Sequence, residues 1–201
     1  MTKKYTLVKS DTIINCEGKK LFRIKAAVAI AALGISKGDL GGYIESEQNL
    51  SQVSDNAWVY GNARVYGNAR ISGNAWISGD ARVYGDAQVS GNAWVYGNAW
   101  VYGNARVYGN AQVYGNARVY GDARVYDPIT MTTRTDGYTF LIAPTPNGPR
   151  IIAGCRYFTF SEARKHWTRT RGGTQLGEES LAIVDHLERM SSICGYSKSV
   201  E

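Results

Sequence analysis

The chain has 201 residues, 44% of them hydrophobic, and a net charge of +6. This is enough for one elongated domain with small flanking units. The charge is spread as +3 over residues 1–52 (8 basic, 5 acidic), +2 over 53–126 (6 and 4) and +1 over 127–201 (9 and 8), so no segment is a polycation. The sign excludes acidic mimicry of DNA, strong duplex binding is not demanded, and the excess suits a small anionic ligand. Cys16, Cys155 and Cys194 are an odd and sparse set, which points to a reducing, cytoplasmic compartment.

Residues 1–52 read as an N-terminal cap. "YTLV" and "LFRI" are strand-like. "AAVAIAALGI", residues 26–35, follows Lys and Arg as a signal peptide would, but about 25 residues precede it and ten apolar residues are too few to span a bilayer. It is expected to form a short helix buried against an end or wall of the next unit, with no membrane involved.

From Val53 to Arg124 one hexapeptide runs twelve times without a gap: Val/Ile, Tyr/Ser, Gly, Asn/Asp, Ala, then a variable residue, with Asp55 in the glycine place of the first copy. A glycine every six residues excludes a helix. In "NARVYG" the Ala and Val lie two apart and face one side of a strand, while the variable residue and the Tyr face the other. Gly-Asn and Gly-Asp supply corners. Val53, Val59 and their six-residue successors are expected inside.

An aliphatic residue followed four positions later by a small one, as in Val59 to Ala63, resembles the hexapeptide-repeat family over about 74 residues. The resemblance implies a mainly β protein built on a left-handed parallel β-helix, with three hexapeptides per coil and hence about four 18-residue coils over 53–126. It also implies a homo-oligomer, a trimer above all. Residues 18 apart then share a wall. The first wall carries Trp58, Trp76, Trp94 and Gln112; the second Arg64, Arg82, Trp100 and Arg118 beside Tyr66, Tyr84, Tyr102 and Tyr120; the third Arg70, Gln88, Arg106 and Arg124. The tryptophan stripe, Trp58, Trp76 and Trp94, is expected to be an oligomer interface or to lie under the chain's own termini. On the second wall, guanidinium groups could lie on Tyr rings or grip a phosphate or carboxylate.

"GDLGG" at 38–42 and Asn49 to Ser51 resemble the lead-in of phage and prophage hexapeptide-repeat proteins of unassigned function, although the Ala-rich segment stands where a shorter, more charged one is expected. "AGCRYFTFSEARKHW" resembles their C-terminal unit. Residues 127–201 are read as a small α+β unit. "GYTFLIAPT" and "RIIAGCRYF" read as two strands, with Cys155 buried at a strand end. Thr159 and Glu162 form the capping box of a helix. A second helix runs from about Glu178 to Ser192, with Leu181, Val184, Leu187 and Met190 on one face. Arg164, Lys165, Arg169 and Arg171 are the densest positive cluster.

A hexapeptide acyltransferase would use a His as general base, and the two here, His166 and His186, both lie outside the repeat. Cys155, His166, His186 and Cys194 lack metal-ligand spacing. The expectation is therefore a non-catalytic, cytoplasmic, oligomeric binding protein without cofactor or metal, sequestering an anionic nucleotide-type ligand in a phage-host setting. The candidate ligand residues are Arg82, Trp100, Tyr102 and Arg118 together with Arg164, Lys165, Arg169 and Arg171. The alternatives are a structural scaffold and the acyltransferase.

Overall fold

The computed structural model describes residues 3–53, 55–126 and 131–196. Three strands open the chain, β1 (Tyr5–Ile14), β2 (Lys20–Ala26) and β3 (Leu40–Ile44). Twelve two-residue strands, β4 to β15, follow at six-residue intervals from Trp58–Val59 to Arg124–Val125. Then come β16 (Met131–Thr133), β17 (Thr139–Ala143), β18 (Arg150–Ala153) and β19 (Arg156–Phe158), and the helices α1 (Phe160–Arg171) and α2 (Gln175–Ile193).

The short strands build a parallel β-solenoid whose register is the 18-residue coil. Trp58 pairs with Trp76, Trp76 with Trp94, and Trp94 with Gln112. Arg64, Arg82, Trp100 and Arg118 align on the second wall, and Arg70, Gln88, Arg106 and Arg124 on the third. Each coil donates backbone hydrogen bonds to the next, as from Trp58 N to Ala75 O (3.0 Å) and from Tyr60 N to Ile77 O (2.7 Å). The Ala and Val/Ile positions from Ala57 onward point inward and are buried. The corners need backbone that other residues adopt only with strain: Gly61 has φ +57° and Gly91 φ +68°.

Two expectations are corrected at the N-terminal end. There are about five turns rather than four, because the second wall stacks five parallel strands, from β3 to β14. Tyr43 pairs with Arg64, and Leu50 bridges Ile71. This first turn is offset by 21 residues instead of 18, so it carries no hexapeptide signature. Leu50 fills the inward place expected of Val53, which is 64% exposed. Asp55 instead turns its carboxylate to the Gly73 N–H one coil on (2.9 Å). The second correction concerns the Ala-rich segment. It forms only a 3-10 turn at Ala31–Leu33, ended by Gly34 at φ +66°. Ile30 and Ile35 bridge across that turn and are buried, while Ala29, Ala31 and Ala32 are exposed.

The antiparallel hairpin of β1 and β2 joins β3 and so extends the second wall past its first coil. At the other end β16 to β19 form a four-stranded antiparallel sheet. "RIIAGCRYF" is thus two strands with a tight turn at Gly154, not one, and Cys155 is exposed at that turn. Strand alternation makes the sheet two-faced. Leu141, Ala143 and Ile152 join the solenoid core, while Phe140, Ile142, Ile151 and Ala153 pack with Ala163, Trp167, Val184 and Leu187 of the helices. Thr159 and Glu162 make the expected capping box.

Arg134, which nothing in the sequence singled out, ties this unit together. It is 3% exposed, bonds Asp136 with Nε (2.9 Å) and Nη2 (2.6 Å) and Ser180 with Nη1 (2.8 Å), and faces the rings of Tyr138, Phe140 and Trp167.

The corners give a test of the register. A Cβ on Gly91 would lie 2.8 Å from Gly109 N, whereas on Gly61 its nearest neighbour is 3.8 Å away. Gly61→Ala should cost about 1–2 kcal/mol for the left-handed backbone alone, and Gly91→Ala clearly more. Urea midpoints at unchanged m-values measure both, and equal losses would contradict this stacking.

Candidate functional site

The outward columns form the candidate site, and their side chains stack in register at about the 4.8 Å strand spacing. On the first wall Trp58 is fully buried, with the Tyr5 ring edge-on at 6.3 Å. Tyr5 is itself anchored by its hydroxyl to Leu50 O (2.8 Å), and burial pushes its pKa upward. Beside it the buried Lys4 pairs with Asp55, and burial pulls its pKa down against that pairing. The N-terminal cover stops there. Trp76 stacks on Tyr60 (4.7 Å) and is half-buried, Trp94 is 49% exposed and Tyr114 40%. Within the single chain, then, only Trp58 of the three tryptophans is buried.

The second wall has two parallel ladders. Tyr66, Tyr84, Tyr102 and Tyr120 stack face to face at 4.9, 5.0 and 5.0 Å. Burial raises the pKa of all four hydroxyls and so keeps them protonated. Arg82, one coil before Trp100, and Arg118, one coil after it, both lie over its ring, at 4.8 and 4.9 Å from the ring centre. The guanidinium groups therefore sit on Trp, not on Tyr, because each column stacks on its own members one coil away. Among the described residues Arg64, Arg82 and Arg118 have no carboxylate or carbonyl partner, so their N–H edges are open. The Trp100 ring is already taken up by the two guanidinium groups and by the Tyr84 ring edge-on at 6.3 Å, and Tyr102 lies between Tyr84 and Tyr120. Arg118 and Asn116 also border a cleft of about 360 Å3 with Asp136, Gly137, Tyr138, Thr139, Gly154 and Cys155. Arg134 holds the Asp136 carboxyl down at about 2.

The C-terminal cationic cluster does not assemble. Arg164 is spent on α2, bonded to Asp185 (2.7 Å) and Glu188. Lys165, Arg169 and Arg171 are exposed, Arg169 and Arg171 in the last turn of α1, where cations suit the helix dipole. His166 packs on Phe158 (5.1 Å) and Trp167 (4.7 Å), its Nε2 buried without a partner. His186 is exposed. Neither borders the Arg118 cleft, and among the described residues no group of three or more His, Cys, Asp or Glu is placed to hold a metal. No helix among them is long and apolar enough to cross a membrane.

With this geometry in hand, comparison with known families finds that the YdcK beta solenoid repeat matches residues 63–79, 87–103, 99–115 and 111–127. This chain is a repeat-containing β-helix protein. Residues 63–126 of the match belong to the solenoid, including the Trp100 and Arg118 rungs. No curated protein matches the chain.

His166 supplies a pH test of the C-terminal unit. Burial, then Arg156 and Arg169, lower its pKa below the ordinary 6.5. The folded state then favours the neutral ring, so stability is full above about 6.5 and falls as pH drops from there through the lower folded value. His166→Phe should flatten this limb of a stability-versus-pH curve. An unchanged slope would place the titration elsewhere.

Proposed function

We propose that the protein is a non-catalytic, oligomeric binding protein that holds an anionic ligand on its second wall. The observation that carries this reading is the Arg82–Trp100–Arg118 sandwich. Cation–π contact fixes each guanidinium plane but uses none of its N–H donors, leaving planar forks suited to phosphate, sulfate or carboxylate. A nucleotide, sequestered in a phage-host setting, is the form of this reading that the phage resemblance suggests. With the Trp100 ring already taken up, its phosphates would make the contact and its base would not stack. Oligomerisation belongs to the same proposal: Trp76, Trp94, Tyr96 and Tyr114 leave aromatic surface on the first wall that a copy of the chain would cover. Three copies is the number that the hexapeptide resemblance suggests.

Two measurements test the two halves. Calorimetry against linear and cyclic nucleotides and inorganic phosphate should show binding weakened about tenfold to a hundredfold by Arg82→Gln with Arg118→Gln. Arg169→Gln with Arg171→Gln should leave it unchanged. If no anion binds while the oligomer is intact, the structural scaffold takes the place of this reading. Native mass spectrometry of Trp94→Ser should show loss of the oligomer, and an intact one would remove the first wall from the interface.

A further inference from the structure

The three corner columns differ in a way that their sequences hide. Between the third and first walls Asn56, Asn74, Asn92 and Asn110 close a continuous side-chain ladder at 2.9, 2.9 and 3.1 Å. Between the second and third walls Asn68 bonds Asp86 and Asn104 bonds Asp122. Between the first and second walls stand Asn62, Asp80, Asn98 and Asn116, and among the described residues no hydrogen bond joins these four. An Asn above an Asp occurs here as it does at Asn68, so composition alone does not explain the missing bonds. This open column directly precedes Arg64, Arg82, Trp100 and Arg118 in each rung, and its last member, Asn116, borders the same cleft as Arg118.

We infer that the second wall, together with this corner, is a track for an extended anionic polysaccharide running along the solenoid axis, its end seated in the cleft beside Arg118. This rests on the anion-binding reading above and names its ligand class. Arg64, Arg82 and Arg118 would take the acidic groups. The carboxamides of Asn62, Asn98 and Asn116, each with donors and an acceptor, would take hydroxyls.

Spacing selects the chain type. Rungs repeat at about 4.8 Å, close to the length of one sugar in an extended saccharide, so successive sugars meet successive rungs in register. A single-stranded nucleic acid holds through base stacking as well as phosphate pairing, and the occupied rings of Trp100 and Tyr102 offer no platform for it. The third wall is the poorer track, because two carboxylates, Asp86 and Asp122, line the same cleft as Arg106 and Arg124 and repel an acidic chain, whereas the one carboxylate of the Arg118 cleft, Asp136, is paired with Arg134. On the second wall Asp80 is the only acidic residue in the open corner column.

Heparin-derived di-, tetra-, octa- and dodecasaccharides titrated into the full chain test this, beside the nucleotide panel and a polyphosphate of matched charge. Affinity should rise with length up to the track's extent. It should fall on the order of tenfold or more in Arg82→Gln with Arg118→Gln, and measurably in Asn98→Ala with Asn116→Ala. Circular dichroism and melting checks that these surface variants remain folded. If the disaccharide or a nucleotide binds as tightly as the octasaccharide, with the same loss on the Arg changes, the track is overturned and the anion-binding reading stands. If polyphosphate binds equally well and the Asn changes have no effect, the wall reads charge alone and the saccharide assignment falls. If no anion binds, both fail together.

Discussion

Everything on the outside of this molecule follows from the backbone register of the coil. Outward residues such as Trp58, Tyr60, Arg64 and Tyr66 donate their N–H to carbonyls on the next coil, and the inward Ala and Val/Ile leave no choice of volume inside. Once every coil has the same path, an outward residue has its counterpart about 4.8 Å above it. Side chains must then stack on their own kind or on whatever single substitution interrupts the column. The tyrosine ladder, the asparagine ladder and the arginine–tryptophan sandwich are three outcomes of that one spacing.

A parallel solenoid leaves edges that would pair with other chains, and the two ends are closed by different chemistry. At the N-terminal end an antiparallel hairpin takes the free side of the second wall, and acidic side chains bind the corner N–H groups. Glu45 accepts from Gly67 N (2.7 Å) as Asp55 does from Gly73 N. Asn49 completes the work by donating to Gly67 O and Ala69 O, both at 2.9 Å. At the C-terminal end a two-faced sheet places apolar side chains on the last coil and carries the helices on its other side. That sheet also makes the second wall end in a cleft instead of open solvent.

The walls were legible because a period of six with three steps per coil leaves no freedom in which residues align. The first turn was not legible. Gly41, Gly42 and Leu50 do the work of a hexapeptide coil with a 21-residue offset, and Gly42 is needed only because a Cβ there would lie 2.7 Å from Ala63 O and from the Val59 side chain. Contacts between columns were also hidden. Sequence placed Arg beside Tyr within a rung, but the neighbour one coil away is nearer than the neighbour along the strand, and so Trp100 gained both guanidinium groups. The role of Arg134 depends on Trp167 and Ser180, which are distant in sequence and reach it only when the helices dock, in addition to the nearby rings of Tyr138 and Phe140. No local pattern carries it.

The two arginine clusters that sequence treated as equals part company on how their charge is used. Arg164 spends Nε and Nη2 on two carboxylates, which offset its charge. Arg82 and Arg118 are held by their faces, which orients the group without cancelling its charge. Ion pairing and ring stacking can fix a guanidinium equally well, yet only stacking leaves all its N–H donors able to bind. A solenoid can build that arrangement simply by placing one Trp in a column of Arg, as it does at position 100, and the unladdered corner beside that column adds the neutral polar groups that a charged track needs if it is to distinguish one polyanion from another.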